Sequence, residues 1–274
     1  MKRKVSLFWI AINLFLFCAI ILAVGFYNTR RYIINEVEIK STDIPAPFNG
    51  TRMVFISDTH FSRFFSHQQL SRIVDQIIQI NPDIVFLGGD YVFYDKKYIT
   101  PLFKELGRLH PPLGIFGVLG NHDHWADDHE TRRKMKENGI TCCDNESFWV
   151  KKGGDSIKIG GVDDLWYGTQ MPENTLRGLK KSDFAILLSH HPDYLENIHS
   201  DLIDLTLSGH THGGQVTLFG WAPLLPSEYG QKYRHGLIRS GDTQSYITSG
   251  IGTVIPPVRF FCPPEIVLLK LRKN

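Results

Sequence analysis

The sequence predicts an α/β protein of two mixed β-sheets packed face to face, with helices outside them, behind one N-terminal helix of membrane-spanning length. Three observations carry this. Residues 52–119 alternate short apolar strands with helical stretches, a β-α-β-α-β order that calls for parallel pairing. Residues 148–271 are mostly strand-like, enough for a second sheet. Residues 5–27 contain no charged side chain.

That uncharged run comes first along the chain. As a helix its 23 residues would cross a hydrocarbon layer of about 30 Å. Leu14-Phe15-Leu16-Phe17 and Ile20-Ile21-Leu22 leave it apolar on every side, without the polar stripe of an amphipathic surface helix. It is longer than the ~7–15-residue apolar stretch of a secretory signal, and no small-x-small cleavage site follows it. Residues 1–31 therefore read as an uncleaved single-pass anchor. Lys2, Arg3 and Lys4 precede the span and Arg30 and Arg31 follow it. The positive-inside tendency then favours an extracytoplasmic position for the remainder, with the cytoplasmic face as the alternative.

Residues 32–50 form a leading strand and linker, and residues 51–274 a single domain. Of 274 residues, 42% are hydrophobic and 21% charged, which excludes wholesale disorder. The formal net charge is +2; beyond residue 31 it becomes 25 basic against 28 acidic side chains. No nucleic-acid partner is expected from such a balance.

Within the domain, residues 52–57 form an apolar strand. Residues 67–80 have helical spacing, with Leu70, Ile73, Val74, Ile77 and Ile78 on one face. Residues 83–87 are a buried strand, 98–109 a helix and 114–119 a third strand. The second half reads as strands at 148–150, 156–162, 184–188, 202–207, 215–219, 245–248 and 266–271, with helices at 172–179 and 194–199. Cys18, Cys142, Cys143 and Cys262 form no C-x-x-C pair and read as small buried apolar residues.

Polar residues gather where the strands end: Ser57-Asp58-Thr59-His60, Gly88-Gly89-Asp90, Gly120-Asn121-His122-Asp123, Ser189-His190-His191-Pro192 and Ser208-Gly209-His210-Thr211-His212. Ligands of open α/β sheets bind at the carboxyl ends of strands, so five such clusters converge on one rim. Asp, His and Asn without cysteine suit hard or borderline divalent cations such as manganese, zinc or iron. In an extended segment, residues two apart point to the same side, so Asp58 with His60, and His210 with His212, could each offer two donors. A lone histidine at a strand end is usually a hydrogen-bonded surface residue; five clusters in fixed order after apolar strands are not explained that way.

The ordered pattern Asp58-x-His60, Gly89-Asp90, Gly120-Asn121-His122-Asp123, His190 and Gly209-His210-Thr211-His212 resembles the calcineurin-like metallophosphoesterases. The segments Gly213-Gly214-Gln215, 229–236 and Pro264-Glu265-Ile266, with the N-terminal span, are similar to the membrane-anchored YkuE/YaeI-type phosphodiesterase branch. The resemblance implies a four-layer α/β-β/α sandwich with two divalent metal ions (Mn, Zn or Fe) between the sheets. Carried over by position, the first metal takes Asp58, His60, Asp90 and His212, and the second Asp90, Asn121, His190 and His210. Asp90 bridges them, each of its oxygens facing one cation. His190 matches the ligand position and His191 the variable one. His122 matches the non-ligand histidine expected to hydrogen-bond a phosphate oxygen and help protonate the leaving group. Asp123 is expected to orient His122, or else to cap the following helix.

The implied activity is hydrolysis of a phosphodiester or pyrophosphate bond by a hydroxide activated between the two metals. A membrane tether suggests a lipid-linked or envelope substrate. The branch also resembles a UDP-2,3-diacylglucosamine pyrophosphatase of lipid A synthesis, which would need the cytoplasmic face. A non-catalytic metal-binding scaffold is the reading of another class. Structural zinc sites are closed and often contain cysteine, whereas these clusters have none and leave His122 without a ligand duty. Weaker candidates are His124, Asp127, Asp128 and His129, the pair Asp163-Asp164, Arg63 beside Phe61, Phe64 and Phe65, and Arg234 and Arg259. Packing or turn roles are favoured for these.

Overall fold

The computed structural model describes residues 2–241 and 243–274. Helix α1 (Lys2–Asn28) is a candidate membrane span over Phe8–Asn28 by length and composition. Its final turn is not free. The Gly25 carbonyl accepts the Arg259 amide at 3.0 Å, and Asn28 Nδ2 donates to the Arg259 carbonyl at 3.0 Å. A Cβ at Gly25 would collide with Phe260 and Val258, so only glycine permits this approach.

The chain continues through β1 (Ile33–Ser41), β2 (Arg52–Ile56), α2 (His67–Ile80), β3 (Ile84–Leu87), α3 (Ile99–Leu106), β4 (Ile115–Gly117), α4 (Asn121–Glu137) and β5 (Ile140–Cys142). It then runs through β6 (Ser147–Lys152), β7 (Asp155–Gly161), α5 (Glu173–Leu176), β8 (Ala185–Leu188), β9 (Leu205–Ser208), β10 (Gly236–Ser240), β11 (Thr243–Ile247) and β12 (Glu265–Lys273). One sheet has the order β1-β12-β2-β3-β4-β5 and the other β10-β11-β9-β8-β7-β6. Both are mixed: β2-β3-β4-β5 and β7-β8-β9-β11 are parallel, whereas β12 meets β2, β6 meets β7 and β10 meets β11 antiparallel.

Strand alternation fixes the layers. On β2, Val54 and Ile56 face α2 and α3, packing with Leu70, Ile73, Leu102 and Phe103. Met53 and Phe55 face the opposite sheet and join Phe86, Phe116, Ile159, Ile186 and Leu207 in the central core. A strand covered on both faces needs an unbroken apolar run, which is how residues 53–56 read. Helix α2 starts in a capping box, with Ser66 Oγ accepting from the Gln69 amide and Gln69 Oε1 from the Ser66 amide. Short α5 and the 3-10 turn Pro192–Asn197 cover the second sheet, whose outer core is Val162, Ala185, Leu187, Tyr194 and Ile203.

Several local expectations are corrected. Residues 215–219 form no strand: Gln215 turns left-handed at φ 52°, and Leu218 and Trp221 close a turn instead. Residues 194–199 fall largely within the 3-10 turn rather than an α-helix. Strands β5 and β10 are additions to the expected set, since neither has a long apolar run to mark it. Ile78 is exposed because Ile77 and Ile80 take the inward positions of that helical turn. Of the cysteines, only Cys143 and Cys262 are buried; Cys18 is exposed on α1 and Cys142 half-buried.

Candidate dimetal centre

Parallel strands from both sheets deliver the site. Asp58 and His60 follow β2, Asp90 follows β3, and Asn121, His122 and Asp123 open α4 after β4. His190 and His191 follow β8, and His210 and His212 follow β9. All ten side chains are buried, so each must find a partner or lie against a ligand.

The backbone achieves this convergence in an unexpected way. Asp58, His60, Asp90, His210 and His212 all adopt left-handed conformations, with φ of 55°, 43°, 52°, 66° and 52°. Extended D-x-H and H-x-H segments, the sequence-based reason for paired donors, are therefore not what is found. Such conformations are uncommon outside glycine, and they cluster where function over-determines the backbone. Gly120 serves differently. Its φ is ordinary, but a Cβ there would overlap the Asp90 carboxylate and the His190 ring.

Three overlapping sets of donor atoms lie within 4.8 Å of one another: Asp58-His60-His212, His60-Asp90-His122 and Asp90-His190-His210. Asp90 joins the last two. Its Oδ2 lies 3.5 Å from His60 Nε2 and 3.3 Å from His190 Nε2. Its Oδ1 accepts the His122 amide at 2.9 Å. One oxygen thus faces both histidines, rather than one oxygen toward each side as the sequence suggested.

These residues fit a pair of cations. His60 Nε2 and His212 Nε2 approach to 3.0 Å, and His190 Nε2 and His210 Nδ1 to 3.3 Å. Nitrogens each about 2.0–2.1 Å from a common ion would be separated by roughly this much. Among the described residues the buried Asn121 Oδ1 has no hydrogen-bond partner, nor does His210 Nε2. An unpaired buried carbonyl oxygen at the head of such a cluster is what a cation ligand looks like before the ion is counted.

Electrostatics favour the same use. Burial pushes His60 down to about 3 and holds His210 and His212 well below the usual imidazole range, which leaves them neutral donors. Burial also acts to lower His190, but the Asp90 carboxylate outweighs it, assisted by Asp58, and lifts His190 to about 10. Burial would raise Asp90, yet His190 keeps it well below the ordinary carboxylate value. Asp58 is pushed up to about 6, chiefly by burial. The protein alone thus balances the buried carboxylate with a histidine proton that a cation would displace.

His190 and His191 separate cleanly. His190 Nδ1 is engaged by the Gly88 carbonyl at 2.7 Å, aiming Nε2 at Asp90. His191 stacks on the His210 ring with centroids 3.5 Å apart, and Asp164 Oδ2 is 3.5 Å from its Nε2. Asp123 does not orient His122. Its Oδ1 accepts the Tyr91 amide and its Oδ2 the Gly120 amide, each at 2.9 Å, so it caps α4 and braces the Asp90 loop. The partner of His122 Nδ1 is the Phe93 carbonyl. No side-chain pattern could have revealed a backbone oxygen in that role.

The site opens into a cavity of about 510 Å³. Asn121, His122 and His210 line it together with the apolar side chains of Leu224, Val254 and Ile255. Trp125 and Trp166 also line it, and no motif in the sequence singles out either. The weaker candidates lie outside this constellation. His124 Nε2 pairs with Asp163 Oδ1 at 3.0 Å, and Asp127 Oδ1 accepts the Glu130 amide. Asp128 Oδ2 is 3.9 Å from Arg132 Nε, and His129 is exposed. Asp164 Oδ1 caps the turn at Trp166 and Tyr167. Arg63 lies exposed over the Phe64 ring. Arg234 Nη1 donates to the Gly213 carbonyl, and the buried Arg259 guanidinium donates to a ring of loop carbonyls.

Residues 51–214 match the family model described as calcineurin-like phosphoesterase. The chain is 32% identical over 263 residues to the metallophosphoesterase YkuE of Bacillus subtilis (strain 168), covering 91% of each chain. It is 33% identical over 236 residues to the phosphodiesterase YaeI of Escherichia coli (strain K12), covering 84% of each. A transmembrane protein with metallophosphoesterase domain from Danio rerio is 31% identical over 252 residues, 87% of this chain and 57% of that one.

Proposed function

Because the chain belongs to the calcineurin-like phosphoesterase family and is a hydrolase of phosphoester bonds, we propose that it cleaves a phosphodiester or pyrophosphate on a lipid-linked or envelope substrate. It does so at two divalent cations beside a membrane to which residues 1–31 anchor it. The observation that carries this reading is the position of Asp90 Oδ2 between His60 and His190. Asp58, His60, Asp90 and His212 hold one cation in this assignment, and Asp90, Asn121, His190 and His210 the other. When bound, the pair supplies a water of lowered pKa and positive charge for the phosphoryl oxygens.

The chain's own residues do the rest. The Phe93 carbonyl accepts a hydrogen bond from Nδ1–H of His122, which leaves Nε2 for the substrate. As the imidazolium, with a proton on each ring nitrogen, His122 donates from Nε2 to a phosphoryl oxygen and passes that Nε2 proton to the departing oxygen, ending as the neutral Nδ1–H imidazole. Asp123 holds the start of α4 and the Asp90 loop in register. The apolar wall of the cavity supports a substrate with a hydrocarbon part, since it can bury a chain that a purely polar phosphoester lacks. The three basic residues before the span against two after it support an extracytoplasmic domain.

The test is hydrolysis of a soluble aryl phosphodiester by the full chain, with and without added manganese. Cleavage that disappears on chelation and returns with the metal is expected; metal-independent cleavage, or none, overturns the reading. UDP-2,3-diacylglucosamine as a parallel substrate, with protease accessibility in intact cells, decides between the cytoplasmic pyrophosphatase and the external phosphodiesterase.

A further inference from the structure

We propose that the Leu218–Trp221 hairpin and Phe261 form a second membrane contact beside α1, dipping into the bilayer so that the mouth of the catalytic cavity faces lipid. The inference rests on the anchored reading above, and its occupant is the lipid surface itself.

The hairpin is the first observation. Leu218 and Trp221 exchange backbone hydrogen bonds at 2.8 and 2.9 Å, with Phe219 and Gly220 at the tip with φ of 50° and 81°. Two positive φ values in such a turn favour Asn-Gly or Asp-Gly, because short polar residues tolerate the left-handed conformation. Here a phenylalanine occupies the tip, and its side chain is 106% exposed. Phe261 repeats the anomaly, left-handed at φ 53° and 80% exposed. Local stability gains nothing from either ring in water, whereas each gains from burial in an apolar layer. Leu224 is 81% exposed nearby in sequence, and residues 213–226 and 250–258 contain no charged side chain. Exposed apolar patches of this kind mark protein or membrane contacts.

Continuity with α1 selects the membrane. The candidate span has 21 residues, about 32 Å of helix, which matches a hydrocarbon core of about 30 Å. Gly25 lies within its last turn, so whatever packs on Gly25 sits at the lipid boundary. That partner is the segment 258–260: Val258 and Phe260 close over Gly25, and the Arg259 amide donates to its carbonyl. The same segment carries the hairpin. The Phe260 amide donates to the Gln215 carbonyl at 2.9 Å, and the Thr217 amide to the Phe260 carbonyl at 3.0 Å. Thr217 Oγ1 donates to the Phe261 carbonyl at 3.1 Å. Helix end, Phe260–Phe261 and hairpin base are thus one connected body. Leu224 and Ile255, which line the cavity, extend the exposed apolar surface toward Asn121 and His210. A substrate held in the bilayer reaches the cations along that wall without crossing water.

The experiment uses the full chain reconstituted in phosphatidylcholine vesicles, with or without lipids brominated on their acyl chains. Of the five tryptophans, Trp9 reports the anchor and Trp221 the hairpin, each isolated as the difference between wild type and Trp9→Phe or Trp221→Phe. Loss of most of both signals in brominated vesicles is expected, with Trp221 shielded from aqueous iodide. Phe219→Ser combined with Phe261→Ser should restore the Trp221 signal, leave Trp9 quenched, and leave hydrolysis of a soluble aryl phosphodiester unchanged. Quenching of Trp9 alone, with Trp221 open to iodide, overturns the second contact and leaves the anchor. Absence of quenching at both overturns the anchor and this proposal together, whatever the hydrolysis assay gives.

Discussion

The Arg259 amide donates to the Gly25 carbonyl at 3.0 Å, while the guanidinium of the same residue donates to the His212 carbonyl at 3.4 Å. One fully buried residue therefore links the end of α1, through its backbone, to a candidate ligand loop, through its side chain. It also donates to the carbonyls of Ser249, Gly250, Gly252 and Cys262. Among the described residues no carboxylate pairs with it, and such a buried cation is tolerable only when its donors are this well spent on backbone oxygens.

Replacing Arg259 with Leu should consequently destabilise the domain, because the Ser249, Gly252 and Cys262 carbonyls lose their donor in a buried place, while the His212 and Gly250 carbonyls keep the Gln215 and Glu265 amides. A loss of about 3–5 kcal/mol is expected from removing one side of such a network. Urea denaturation of the detergent-solubilised chain measures it, and a midpoint equal to wild type would show that the carbonyls find other donors.

Asp90 and His122 should separate in their effects on the metal. Asp90→Asn is expected to lower metal content at both positions, measured by elemental analysis, together with activity. His122→Ala should keep the metal content and lose about 10²–10⁴-fold in turnover, the usual range for a general acid. Asp90→Asn should be the slower of the two. If both variants bind metal like wild type and hydrolyse an aryl phosphodiester equally fast, the bridging assignment is lost.

Acid stability should depend on Glu265. Burial works to raise its pKa, but the His235 hydrogen bond and charge, the Ser249 amide and Asn35 overcome this and hold it at about 2. A carboxylate depressed in the folded state contributes stability above its unfolded pKa of about 4.5, and that contribution is lost as pH falls from 4.5 toward 2. A shift of this size corresponds to about 3 kcal/mol. Glu265→Gln should lower stability near neutral pH and flatten the decline between pH 4.5 and 2 in denaturant titrations at each pH. An unchanged acid limb would assign that decline to other groups.

Much of the fold is legible in residues 52–119 because each strand there is apolar on both faces, and a stretch such as Met53-Val54-Phe55-Ile56 has few other stable uses. The five polar clusters were legible for a related reason: Asp, His and Asn at the ends of such strands must share a rim. What failed was local geometry. Residues 215–219 look like a strand, but the left-handed Gln215 accepts the Phe260 amide and commits the segment to a loop.

By itself the sequence determined the sheet-forming pattern, the identity of the donor clusters and the uncharged run at the N-terminus, since each depends on side-chain chemistry repeated at short range. Only the tertiary structure decided that Asp90 Oδ2 faces both His60 and His190, that Phe93 rather than Asp123 meets the His122 ring, and that Phe260 lies on Gly25. Those relations join residues far apart in the chain through backbone oxygens and left-handed turns. Neither leaves a periodic trace in the order of amino acids; both follow from how two sheets close on each other.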